Sequence, residues 1–161
     1  DFDADGGSLS SWGIEICLDE YCDLTVDNSA FIDVYGTLIS ALGCATDGDT
    51  IFLESNIASS IINIGSGSIV IDESIVIVAS PGDNIKVSSE GNVPTFIINS
   101  GKTVAFIGFE IENTDSSIGV IENNGNLTLN DIIVISNVGV SSVMNQNGAN
   151  LTIEGNCRIE E

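Results

Sequence analysis

The sequence predicts an all-β fold: a right-handed parallel β-helix, or solenoid, of about five short rungs with a capping helix on its N-terminal side. Three observations carry that expectation. The chain repeats with a period of about 24 residues, apolar and polar residues alternate inside each repeat, and Asn, Gly and Asp recur where each repeat has to bend. Ile85, Phe109, Ile133 and Cys157 lie 24 residues apart, and so do Val87, Ile111, Ile135 and Ile159. Each repeat therefore reads apolar, spacer, apolar, the inward face of a short strand. Stacked helix pairs would need long stretches of 3.6-residue period between these columns, and the sequence has none. Crossovers between parallel strands are right-handed in nearly all cases, which sets the expected hand.

In chain order, residues 1–21 read as an N-terminal strand and linker, and residues 22–161 as the β-helix. The opening "DFDADGGSLSSWGIEIC" shares neither the period nor the columns of the residues after Cys22. The stretch "DNSAFIDVYGTLISALGCATDGD" predicts a helix near 29–43. Phe31, Val34, Tyr35, Leu38, Ile39 and Leu42 recur at helical spacing, Asn28 or Ser29 suits the start, and Gly43 suits the stop. An open β-helix end is a row of unpaired backbone groups, so this helix is expected to lie on the first rung.

The rungs come next along the chain. "IFLESNIASSIINIGSG" is an imperfect first one. After it come "IVIDESIVIVASPGDNIKVSSEGNVPT", "FIINSGKTVAFIGFEIENTDSSIG", "VIENNGNLTLNDIIVISNVGVSS" and "VMNQNGANLTIEGNCRIEE". Asn99, Asn123 and Asn147 form one polar column at the same spacing, and Ser89, Asn113, Asn137 and Glu161 form another. Stacked Asn amides bond along such a column and tolerate the left-handed backbone of a tight bend, so Asn99, Asn123, Asn147, Asn113 and Asn137 are expected to be structural ladder residues. Cys157, in the slot of Phe109 and Ile133, is expected to be a buried small hydrophobe. The last rung ends on "CRIEE" with nothing predicted to cover it.

Charge and composition exclude several functions. With 24 acidic residues against Lys86, Lys102 and Arg158, and no histidine, the formal charge is −21. Such a surface repels phosphate backbones and anionic headgroups, so nucleic acid is not an expected partner. No apolar run approaches the roughly 20 residues needed to span a bilayer, so membrane insertion is not expected either. The first residues lack a basic n-region, so an exported form would already have lost its signal. With 43% hydrophobic residues the chain is too apolar for an acidic disordered segment. Cys17, Cys22, Cys44 and Cys157 fit an oxidising compartment and permit three pairings, of which Cys22 with Cys44 is favoured.

The segment from Cys22 to about Asn137 resembles the secreted parallel β-helix modules of bacterial surface and adhesin-like proteins, related in fold to pectate lyases. The pieces that carry the likeness are "CDLTVDNSA", "ALGCATDGDTIFLES", "IVIDESIVIVASPGD", "TFIINSGKTVAFIGFEIEN" and "NGNLTLNDIIVISN". The opening "DADGGSLSSWGIEIC" is similar to the last strand of the P domain found beside subtilisin-like convertases. The first resemblance implies secretion to the cell surface and a structural or adhesive role, with glycans among the partners to consider. The second implies a strand around Trp12 that needs a sheet to complete.

The residues offer little for catalysis. A lyase of this fold needs a basic residue to take a proton, and Lys86 lies on the outer face of a strand while Lys102 follows Gly101 in a turn. A hydrolase would use paired carboxylates, and an acidic skin with Glu110, Glu112, Asp115, Glu122 and Asp131 supplies accidental pairs. Serine or cysteine nucleophiles lack a histidine base. No catalytic residue is assigned, and a small polysaccharide lyase or glycoside hydrolase is the alternative. Asp1, Asp3 and Asp5 match the first half of a calcium loop, although Trp12 stands where a bidentate glutamate belongs; calcium at these three residues is weighed against a plain acidic turn. "NLT" at Asn126 and Asn150 is a formal glycan acceptor, and in a bacterial protein it is simply a turn sequence. The expected function is a non-catalytic surface module, with self-association or neighbouring domains as partners. Its sharper form is end-to-end joining into a fibre by sheet-edge pairing, through Trp12, Ile14 and Ile159.

Overall fold

The computed structural model describes residues 24–26, 34–54, 61–115, 117–136 and 139–160. Asp1, Asp3 and Asp5 as calcium ligands, Trp12 and Ile14 as assembly residues, Cys17, Cys22 and Asn137 all lie outside those residues, as does the boundary near residue 21.

The described chain is a β-solenoid of about five turns. β1 (Thr25–Val26) and α1 (Val34–Cys44), the one helix among the described residues, come first, and β2 (Thr50–Leu53), stacked on β1, begins the first turn with β3 (Ile61–Asn63). Four turns of three strands complete it. They are β4 (Ile69–Ile71), β5 (Val76–Ala79) and β6 (Lys86–Ser89); β7 (Phe96–Ile98), β8 (Thr103–Ile107) and β9 (Glu110–Asn113); β10 (Ile121–Asn123), β11 (Asn126–Asn130) and β12 (Ile133–Ile135); and β13 (Val143–Asn145), β14 (Asn150–Glu154) and β15 (Arg158–Glu160). They stack into three sheets, β1-β2-β5-β8-β11-β14, β4-β7-β10-β13 and β3-β6-β9-β12-β15, paired in parallel throughout.

Alternation fills the interior. Ile51 and Leu53, Ile77, Val104 and Phe106, and Leu127 and Leu129 point inward from the six-stranded sheet and are almost wholly buried. Phe96, Phe106 and Phe109 meet inside the third turn, with ring centroids 4.8 Å apart for Phe96 and Phe106 and 5.6 Å for Phe106 and Phe109. Burying each such side chain contributes about 1.5–3 kcal/mol.

The register corrects the predicted columns. Val87 faces Ile111, but Ile111 faces Val134 and Val134 faces Ile159, so Ile135 is not in that column. Likewise Ile132, buried, succeeds Phe109, while Ile133 faces Glu110 on the outside and is only half-buried. The spacing of 24 is approximate, ranging from 22 between Ile121 and Val143 to 29 between Val76 and Ala105. From the third turn to the fourth, Ile98 pairs with Asn123, 25 residues on, whereas Val104 pairs with Leu127, 23 on. The cause is the bend into the six-stranded sheet, which takes four residues at Asn99–Lys102 and two at Asn124–Gly125. Gly125 makes the short bend feasible, since a Cβ there would lie 2.5 Å from the Lys102 carbonyl oxygen.

α1 sits at the N-terminal end against β1 and β3. Leu38 and Ala41 are 1% and 0% exposed, and they join the core. Ile39, placed in the same stripe by its spacing, is instead exposed. The helix runs through Gly43 to Cys44, and the left-handed turn residue is Gly48.

Candidate functional site

The C-terminal end of the solenoid is built from the edges of β13, β14 and β15, each paired on one side only among the described residues. Register dictates which side chains face the axis here. Leu151 and Ile153 continue the column of Leu127 and Leu129, Ile159 continues that of Val134, and Val143 continues that of Ile121. Their predecessors are buried; yet Ile153 is 52% exposed and Ile159 is 48% exposed. Cys157 follows Ile132 in its column and is half-buried rather than buried, its thiol donating to the Glu154 carbonyl at 3.1 Å. Among the described residues the last rung thus leaves apolar side chains of the core columns partly exposed.

A side-chain ladder leads to the same end along one corner. The Thr103 amide donates to Ser74 Oγ at 3.2 Å, Asn126 Nδ2 to Thr103 Oγ1 at 3.3 Å, and Asn150 Nδ2 to Asn126 Oδ1 at 2.7 Å. Asn126 and Asn150 are therefore ladder members in exposed positions. A second polar line runs inside: Asn123 Nδ2 donates to Asn145 Oδ1 at 2.6 Å and to the Asn150 carbonyl at 2.8 Å.

The predicted asparagine column divides accordingly. Asn123 stacks between Ile98 and Asn145, not between Asn99 and Asn147, because of the two-residue difference in the bends. Asn99 is half-buried and donates to Asp72 Oδ1 at 2.9 Å, and Asn147 sits in an exposed turn. Asn113 does pair with Ser89; it is 1% exposed, with its amide donating to the Val93 carbonyl at 2.8 Å.

The cations lie on the wall and rim. Lys86 points outward between Glu110 and Glu112, pairing with Glu110 and reaching Glu112 Oε2 at 3.3 Å. The hydrogen bond to Glu110 raises the Lys86 ammonium above its usual range, against an opposing effect of burial. Lys86 and Glu110 line a groove of about 380 Å³ with Asp83, Phe109 and Asp131. Lys102 bonds Glu73 at 3.0 Å and Asp47 at 3.4 Å at the opposite corner, and the bond to Glu73 likewise raises it. Arg158 pairs with Glu160 on the rim of the open end. Among the described residues no group of three His, Cys, Asp or Glu side chains is set to hold a metal ion.

Of the residues expected to act in assembly, Ile159 is on the open end. Leu151, Ile153, Asn145 and Asn150 share it, although spacing alone does not single them out. Their signal is the parallel between "NLTLN" and "NLTIE", two strands of one column of which the second is the last. Comparison with protein-family models, curated proteins and solved structures finds no match to this chain.

Proposed function

We propose that this chain is a secreted, non-catalytic β-helix module of the cell surface, structural or adhesive in role, which joins a neighbour through its C-terminal end. The observation that carries this reading is the half-exposed Ile153 and Ile159 on strands whose outer edges have no described partner. Unpaired edges and an exposed core cross-section both gain free energy when another strand layer covers them. We assign Cys22 and Cys44 as a disulfide pair, in keeping with an oxidising compartment. Asp1, Asp3 and Asp5 offer oxygen ligands for a calcium ion ahead of the solenoid.

Sedimentation velocity of the full chain tests the reading. Concentration-dependent association that is lost in Ile159→Glu supports it; a monomer at every concentration overturns it. Glycan cleavage abolished by Glu110→Gln would establish instead the lyase or hydrolase alternative, through the groove beside Lys86.

A further inference from the structure

We infer that Asn147–Gly148 is a site of self-modification, where the Asn147 side chain closes onto the backbone as a succinimide and reopens as aspartate or isoaspartate, while the fold protects Asn124–Gly125 from the same change. These are the two Asn-Gly steps of the sequence. The nucleophile is the Gly148 backbone nitrogen. It attacks Asn147 Cγ, a C–N bond forms, the Cγ–Nδ2 bond breaks, and the amide leaves as ammonia with the backbone proton. Water then opens the ring at Cγ to give aspartate, or at the Asn147 carbonyl carbon to give isoaspartate, whose main chain is one carbon longer. No partner, metal or oxidant takes part.

The attack needs a nitrogen free of hydrogen bonds and a peptide plane free to turn toward Cγ. Both conditions hold at Asn147–Gly148. Gln146–Ala149 is a four-residue turn closed by the Ala149 N–H on the Gln146 carbonyl at 3.0 Å, with Gly148 third in it at a φ of 88°. Asn147 and Gly148 are exposed, and neither the Asn147 amide nor the Gly148 N–H is hydrogen-bonded among the described residues. A Cβ at Gly148 would meet no atom within 4 Å. This openness belongs to the kind of bend rather than to the last turn. Asn99–Lys102 is the same turn in the third, closed by the Lys102 N–H on the Asn99 carbonyl at 3.3 Å with Gly101 at a φ of 80°. It has strands stacked on both sides, and Ser100 and Gly101 are exposed all the same.

The bend at Asn124–Gly125 is two residues long, and both are tied down. The Gly125 N–H donates to Asn123 Oδ1 at 3.1 Å, the Asn124 N–H to the Ile98 carbonyl at 3.0 Å, and Asn124 Nδ2 to Glu122 Oε1 at 3.2 Å. The Lys102 and Asn99 carbonyl oxygens lie 2.5 and 2.7 Å from where a Gly125 Cβ would be, so the peptide plane has no room to swing. Reaction there waits on local opening of the solenoid. Either product at residue 147 adds a negative charge to the −21 of the chain. Aspartate keeps the length of the bend. Isoaspartate lengthens a bend pinned by the Gln146 N–H on the Asn123 carbonyl and by Asn145 Nδ2 on the Ala149 carbonyl, each at 2.9 Å, and so works against the last turn.

Peptide mapping of the full chain, aged in mildly alkaline buffer to free the attacking nitrogen of its proton, is the test. Conversion at residue 147 should run at least about tenfold faster than at residue 124, with isoaspartate identified by an isoaspartyl-specific methyltransferase. In urea, where the fold is lost, the two steps should convert at similar rates. Asn147→Ser, which reproduces the Ser100–Gly101 turn, should remove most of the charge gained on ageing. An Asn147 that stays intact overturns the inference, and so do equal rates at the two steps in the folded chain. A gap that persists unchanged in urea overturns protection by the fold.

Discussion

Asn123 lies fully buried, stacked on Ile98, and it is tolerated there because its whole amide is used. Both hydrogens are donated, to Asn145 Oδ1 and the Asn150 carbonyl, and its oxygen accepts from the Gly125 N–H at 3.1 Å. Asn123→Ala therefore strands the buried Gly125 N–H and should cost about 1–3 kcal/mol in urea denaturation. Asn147→Ala, in an exposed turn, should change stability by less than about 0.5 kcal/mol. Equal effects would restore the column the spacing suggested. Asp49 gives a residue-scale pH effect: it accepts from the Thr46 N–H at 2.7 Å and the Thr46 hydroxyl at 2.9 Å. The backbone bond chiefly holds its carboxyl below the ordinary 3.8. A folded value below the unfolded one means that this contribution is present above about pH 3.8 and is lost as pH falls through the folded value. Denaturation midpoints measured between pH 6 and pH 2 should accordingly fall less steeply in Asp49→Asn than in the native chain.

At the scale of the element, α1 behaves as a lid on the solenoid rather than as a free helix. Leu38→Ala should cost about 2–5 kcal/mol, since it opens a cavity between α1 and the first turn, whereas Ile39→Ala should be nearly neutral by the same denaturation measurement. The sequence pattern places both residues in one stripe, because a 3.6-residue period admits a broad arc of positions and only contact with β1 and β3 selects within it. The rungs are legible for a firmer reason: alternation and turn residues bound every strand of the four full turns. What periodicity cannot supply is register. Bends differ in length, so a period near 24 hides offsets of 25 on the four-stranded sheet and 23 on the others between the third and fourth turns, and Ile133 and Ile135 fall on the outer face. Ile159 is recognisable as an inward residue from the alternation in "CRIEE". Leu151 and Ile153 become part of the end only when β14 is stacked on β11.

Among the described residues the two sides of the solenoid differ, with α1 against β1 and β3 on the first and half-exposed Ile153 and Ile159 on the last rung. Its charge of −21 keeps the wall solvated and resists side-by-side association, which leaves the end as the place where apolar surface meets an unpaired edge. Hydrogen exchange in β13–β15 reports on that end directly. The N–H groups of Leu151, Ile153 and Ile159 turn outward from the last rung, so in the isolated chain they exchange freely, while Leu127 and Leu129 stay protected by β14. If the end is an assembly surface, raising the protein from low micromolar to near millimolar should slow exchange at Leu151, Ile153 and Ile159 by about tenfold or more, with Leu127 and Leu129 unchanged. Fast exchange at Leu151, Ile153 and Ile159 at both concentrations would contradict the account.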